Sequence, residues 1–273
     1  MNNRLLLALI ACLATSGLAQ DKPKNSDIEN IGRRSINQGT VNFISVEKEI
    51  AIGRQLSAEL ERQMKLSSNT TVNEYVNRLG QYVARNSDAQ IPMTFKVVES
   101  DDVDSQAFPG GFVYVTTGTI LAVDNEAELA SVLAQQVAHI AARHGMENAS
   151  KAELVNFGNL PVVFQGGQAG FALRVPAQFL ETVRRQVFEA DFLGLQYLYK
   201  AGYEPRAAIT FLQKLEGLKA QNSRVSSRVF SMEPPAADRI TTIQKNIDLI
   251  LPPRAQNVLT TPEFDSIKVQ LRK

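Results

Sequence analysis

The sequence predicts an α+β domain, mostly helical, with a small antiparallel or mixed β-sheet beside one buried helix. Apolar residues recur at helical spacing through most of the 273 residues. Two β-branched runs, 91–100 and 112–117, flank the turn Pro109-Gly110-Gly111. The order is strand, glycine-rich turn, strand, helix. Strands and helices do not alternate, which fits an α+β layer and not a parallel α/β sheet.

The bulk numbers are those of an ordinary globular chain, 44% apolar and 21% charged. The length allows one or two domains with a real core. There are 29 basic and 28 acidic residues, and Arg4 is the only charge in residues 1–19, so the rest of the chain is balanced at 28 of each. Such balance gives no argument for a nucleic-acid partner or for attraction to a membrane surface.

Residues 1–19 have the form of a signal peptide. Arg4 is the charged start, Leu5 to Ala14 the apolar core, and Gly17-Leu18-Ala19 a small-residue cleavage site. The apolar run is too short to span a bilayer. Leu9-Ile-Ala-Cys12 also resembles a lipobox, which would anchor the protein to a membrane through a lipidated Cys12. Cleavage after Ala19 would instead remove Cys12, the only cysteine, leaving a periplasmic protein without thiol chemistry.

Residues 20–44 are expected to form an extended arm, and 45–273 the main domain, its part from about 205 helical. Ser45 caps a first helix with Glu47 and Glu49 in its first turn. Ile50, Ile52, Leu56, Leu60 and Met64 mark its expected buried face, its charges a solvated one. Asn69 caps a second helix with a stripe from Val72 to Val83. After the strands, Ile120 to Val123 lead into a short helix. The run 156–175 is glycine-rich and apolar without a clear period, either a functional flexible segment or a packed helical hairpin. A helix resumes at Phe179 and ends at Ala201-Gly202. Pro205 opens another, and Asn222 to Ser231 form a Ser-rich connection. Asp238 to Leu249 form a helix, and Thr261 to Leu271 a last helix or strand.

The chemistry centres on the helix that Asn125 caps, with Glu128 three residues later as in a capping box and Gly145 as its stop. Leu129, Val132, Leu133, Val137 and Ile140 form its buried stripe. It carries Gln135-Gln136-Val-Ala-His139. A His-Glu-x-x-His at these positions would supply two zinc ligands and a general base on one face. Here the frame is present with the first ligand and the base replaced. His144 lies about 140° around an ideal helix from His139, so the two do not form a ready metal pair.

Seven separated segments, in order, resemble metallopeptidase family forty-eight, the gluzincins of the CAAX-prenyl-protease, HtpX and BepA type. They are Tyr75-Val-Asn-Arg-Leu-Gly80, Ala107-Phe-Pro-Gly-Gly-Phe-Val-Tyr-Val-Thr116, Asn125-Glu-Ala-Glu-Leu-Ala130, His139-Ile-Ala-Ala-Arg-His144, Glu189-Ala-Asp-x-Leu-Gly194, Ala201-Gly-Tyr203 and Pro234-Pro-x-x-Asp-Arg-Ile240. The resemblance runs from about residue 45 to the end. It implies a zincin-like fold and a zinc metalloendopeptidase ancestry. It also assigns positions. Gln135 stands at the first His, Gln136 at the general-base Glu, and His139 at the second His. Asp191 matches the Asp that orients a ligand, which puts the third ligand at Val187. Glu189 is the other acidic residue of that motif, on a different helical face from Val187. Glu233 stands where a His closes over the site in many secreted members, and Arg239 is retained.

Gln is a poor zinc ligand beside imidazole or thiolate, a neutral amide takes no proton from water, and valine ligates nothing. The resemblance therefore implies a non-catalytic relative without zinc, binding polypeptide or an envelope partner. Binding would follow strand addition along 112–117 or along the strand before Pro109. His139 is expected to be a buried neutral histidine, hydrogen-bonded to Asp191 or a Gln amide. The alternatives are an active zinc endopeptidase with His139, Glu189 and Glu233 as unusual ligands, and a structural subunit paired with an active paralogue.

Overall fold

Local capping chemistry starts five of the helices. Side chains of Ser45, Asn69, Thr116, Asn125 and Thr261 each accept a backbone N–H three residues on. The computed structural model describes residues 23–40, 42–154, 177–221 and 233–272. The expected signal peptide, Cys12, the run 156–175 and the Ser-rich connection lie outside these residues. The element order is α1 (Val46–Gln63), α2 (Thr70–Arg85), β1 (Thr94–Val98), β2 (Ser105–Phe108), β3 (Phe112–Thr116), α3 (Thr117–Ala122), α4 (Glu126–Ala141), α5 (His144–Leu154), α6 (Ala177–Lys200), α7 (Ala207–Gln221), α8 (Ala236–Ile250) and α9 (Pro262–Leu271). This is the mostly helical α+β fold expected. The last element is a helix, and α7 begins two residues beyond Pro205, which sits in the preceding turn.

The sheet is mixed, with strand order β1-β3-β2. β1 runs parallel to β3 with Thr94 opposite Phe112, and β2 runs antiparallel with Ser105 opposite Val115. The expectation that 112–117 offers a free edge is therefore corrected: β3 is paired on both sides. The strand expected at 91–100 is β1, at the far edge of the sheet, and the edge on the side of α4 is β2, a strand the sequence reading did not anticipate.

α4 is the buried axis of the domain. Most of its residues are inaccessible, and it packs against α6, α2, α7 and β2. A helix buried on nearly every side needs small residues where neighbours come close. Gly194 of α6 supplies one: a Cβ there would lie 3.1 Å from the Ala134 carbonyl and from Gln135 Cα.

Three expectations from periodicity are corrected. The buried ridge of α1 is Glu49, Gly53 and Ser57, not the aliphatic positions, which are only partly covered. α1 lies so close to the Pro109-Gly110 turn that small residues occupy the contact and Leu60 and Met64 flank it. Glu49 is consequently not solvated but 1% exposed. The helix expected to stop at Gly145 ends at Ala141, and His144 opens α5. The arm is irregular, but its Ile28, Ile31 and Ile36 belong to the main core. Arg34 donates to the buried Asp88 and to Gln196 Oε1 (2.7 Å), and Tyr197 donates its hydroxyl to the same Asp88 (2.9 Å). Among the described residues no helix is long and apolar enough to cross a membrane.

Candidate functional site

The site forms where α4 breaks. Ala142 closes the helix and Arg143 takes a left-handed conformation at φ 55°, uncommon for a side chain of this size. Arg143 is held there from outside its own helix. Its Nε donates to Glu49 (2.6 Å) and its Nη2 to the Ile44 carbonyl (2.6 Å). The break swings His144 back toward the helix, so the Nδ1 atoms of His139 and His144 lie 3.0 Å apart. The 140° separation expected on a continuous helix does not apply. His139 is bonded to His144, and not to Asp191 or a glutamine amide as expected. It is only partly covered. Burial, then the neighbouring His144 and Arg239, push its imidazole well below its ordinary pKa and hold it neutral. His144 is 3% exposed, and its Nε2 faces Glu189 Oε2 at 3.5 Å. Glu189 also accepts from Arg185 (3.0 Å). The His144 contact, and further the Arg185 charge, keep its carboxyl below the usual range.

The two glutamines are tied down on either side of this pair. Gln135 Nε2 donates to Asp191 Oδ1 (2.9 Å) and Gln136 Nε2 to Ser105 Oγ (3.0 Å). Asp191 in turn receives Arg239 Nε (2.7 Å) and Nη2 (2.8 Å), while Arg239 Nη1 donates to Glu233 (2.9 Å). Burial opposes the guanidinium charge, but Asp191 and Glu233 outweigh it and hold Arg239 protonated. Val187 is fully buried in α6, one turn before Asp191.

These side chains line a cleft between α4 and β2. Asp104, Ser105, Gln135, Gln136 and Glu233 border two adjoining recesses. One runs toward His139, His144 and Phe108; the other, of about 80 Å³, is walled by Phe211, Leu212 and Leu215. Asp104 and Ser105 were not singled out from the sequence, which placed no strand at 105–108. His144 and Glu189 were visible as motif residues, but their pairing depends on the break at Arg143.

Asp104 accepts from the Ser105 N–H (2.8 Å) and from Gln106 Nε2 (3.1 Å). Burial, and then the charges of Glu233 and Asp102, nonetheless push its pKa to about 6 from 3.8. A raised carboxylate pKa means that the ionised form opposes folding. The penalty is absent below pH 3.8, grows through the window up to about 6, and is complete above it. Asp104→Asn is expected to raise stability by about 2 kcal/mol at pH 7 and to leave it unchanged at pH 3.5. Urea melts at the two pH values check this; equal effects at both would contradict it.

A buried helix carrying a remnant ligand frame, set beside an edge strand and facing an Asp–Arg pair from two later helices, defines a zincin-like peptidase domain. The chain belongs to Peptidase family M48, whose profile matches residues 70–247. It is similar to the beta-barrel assembly-enhancing protease of Yersinia pestis, 30% identical over 68% of this chain and 40% of that protein. It is 27% identical to the Escherichia coli K12 protein of the same name over the same shares. It is also 30% identical to the mitochondrial metalloendopeptidase OMA1 of Saccharomyces cerevisiae, over 55% of this chain and 45% of that one. The chain thus spans less than half the length of these curated relatives.

The family is typically zinc-dependent. The donor set at the positions the resemblance assigns does not fit zinc. Of the three ligand positions only His139 is an imidazole; Gln135 is an amide engaged with Asp191 and Val187 a buried valine, while Gln136, at the general-base position, is an amide engaged with Ser105. Catalytic zinc takes three protein ligands of imidazole, thiolate or carboxylate type. Among the described residues no three such side chains converge to hold a metal ion. Glu189 reaches His144 and Glu233 reaches Arg239, so neither is directed to His139.

Proposed function

We propose that this protein is a non-catalytic member of its family that binds polypeptide in the cell envelope without cleaving it. The observation that carries the reading is the engagement of both glutamines. Amides standing at the first-ligand and general-base positions are built into the packing, Gln135 against Asp191 and Gln136 against the first residue of β2. A side chain that can neither take a proton from water nor ligate zinc well removes the chemistry while keeping the cleft shape. The cleft is bordered by an edge strand, and an extended chain can add to such an edge through its own backbone. The leader-like residues 1–19 support the envelope location.

The test compares the parent with a variant carrying Gln135→His, Gln136→Glu and Val187→Glu. The parent is expected to bind a panel of extended apolar peptides, to carry no stoichiometric zinc, and to leave casein intact. The triple variant is expected to gain zinc and measurable cleavage. Stoichiometric zinc and casein cleavage by the parent, both lost in His139→Ala, would overturn the proposal. So would a folded parent that binds no peptide in the panel.

A further inference from the structure

With His144 neutral, its contact with His139 has one arrangement of protons that suits both its ends. Two ring nitrogens 3.0 Å apart share one hydrogen. At the far side of His144, Nε2 faces the Glu189 carboxylate at 3.5 Å. That is long for a hydrogen bond, but a nitrogen lone pair would be repelled by the carboxylate and an N–H is attracted to it. In neutral His144 the proton therefore sits on Nε2, and its Nδ1 carries the lone pair. His139 must then donate from Nδ1, which leaves its own Nε2 as an acceptor. His139 lines the cleft and is partly exposed, and Nε2 has no hydrogen-bond partner among the described residues. Glu189 is itself anchored by Arg185, whose other arm donates to the buried Glu147 (2.7 Å). The chain from Glu147 to His139 thus starts on fixed residues of α5 and α6.

We propose that Glu189 and His144 are positioning residues that fix His139 as an acceptor on the cleft, and that this acceptor takes one backbone N–H of an extended polypeptide lying along β2. The inference rests on the polypeptide-binding reading and adds to it the atom that selects the register. An acceptor next to a strand edge suits a backbone amide, because an extended chain presents an N–H toward the same side at every second residue. The glutamines on either side turn their Nε2 groups to Asp191 and Ser105 as donors, and His139 is the imidazole acceptor between them.

Two measurements test it. The first is the ¹⁵N spectrum of the histidines near pH 8. His139 is expected as the Nδ1–H tautomer and His144 as the Nε2–H tautomer. The second is binding of a capped valine-rich peptide and a series of analogues in which one backbone amide at a time is replaced by an ester. The parent is expected to lose about ten-fold affinity for the ester at one position, the size of one hydrogen bond. His144→Leu is expected to abolish that penalty. His144→Asn is expected to retain it, since its carbonyl oxygen can stand in for the Nδ1 lone pair. A change in packing alone would not separate these two variants in this way. An Nε2–H tautomer for His139 in the parent overturns the inference. So does peptide binding with no position sensitive to the ester, which would leave the polypeptide-binding reading standing. Absence of peptide binding with the expected tautomers removes that reading and, with it, the acceptor's ligand.

Discussion

Arg239→Leu is expected to destabilise the fold by about 3–5 kcal/mol, the usual loss when one partner of a buried ion pair is removed. Arg239 is 6% exposed and Asp191 7%, and two of the three guanidinium hydrogen bonds go to Asp191. Without the arginine, Asp191 keeps only the Gln135 amide as a donor. A carboxylate in that setting stays charged at a large desolvation penalty or takes up a proton. The pair Asp191→Leu with Arg239→Leu is expected to recover most of the loss, because the more deeply buried unmatched charge is then gone and the remaining Glu233 is partly exposed to solvent. Denaturant melts of the three variants decide it. A loss below about 1 kcal/mol for the single change would place the pair among weak surface contacts, against its burial. The experiment also bears on the site, since Arg239 orients Asp191, and Asp191 holds Gln135.

Gly53→Ala should lower stability by about 2–3 kcal/mol, even though alanine is the better helix former by up to ~1 kcal/mol. The steric term wins because of what the added methyl would meet. A Cβ at position 53 would lie 1.8 Å from the Pro109 carbonyl oxygen and 3.1 Å from Gly110 Cα. Both are backbone atoms of the β2–β3 turn, which cannot rotate aside as a side chain can. α1 would have to move away from the sheet, and with it Glu49, which holds Arg143 in its left-handed conformation. The variant should therefore loosen the His139–His144 contact as well as the fold. Gly217, in the exposed part of α7, is the internal control. Nothing lies within 4 Å of a Cβ there, so Gly217→Ala is expected to stabilise by about 0.5–1 kcal/mol. Thermal melts in which both alanines behave alike would sink the packing argument.

Much of the fold was legible because it depends on neighbours in the chain. Asn125, Asn69 and Ser45 cap helices through side chains that reach only three residues ahead. The stripe of α2 is buried as its spacing predicts at Val72, Tyr75, Val76, Leu79 and Val83, while Tyr82, expected in it, is 42% exposed. The candidate site was legible in part. Gln135, Gln136, His139, Asp191 and Arg239 do line one cleft, as seven segments retaining their order imply, while Val187 and Glu189 do not open on it. The partners of each residue were less legible. Periodicity placed the aliphatic face of α1 in the core, yet the ridge that packs is Glu49, Gly53 and Ser57. The contact is a close backbone approach, and small residues serve it better than large ones.

The sequence by itself determined the class of domain, the position of the α4 frame, and which chemical groups stand in it: two amides, one imidazole and a valine. These are properties of residue identity and local spacing. Only the tertiary structure decided that β3 lies inside the sheet and β2 at its edge, that Gln135 and Gln136 are bound to Asp191 and Ser105, and that His139 pairs with His144. Each of these depends on where distant segments meet. The last depends on a single residue, Arg143, held in an unfavourable backbone conformation by Glu49 and by the Ile44 carbonyl, both about a hundred residues away in the chain. No rule of helical spacing contains that contact, because on an unbroken helix the two imidazoles would point to different sides.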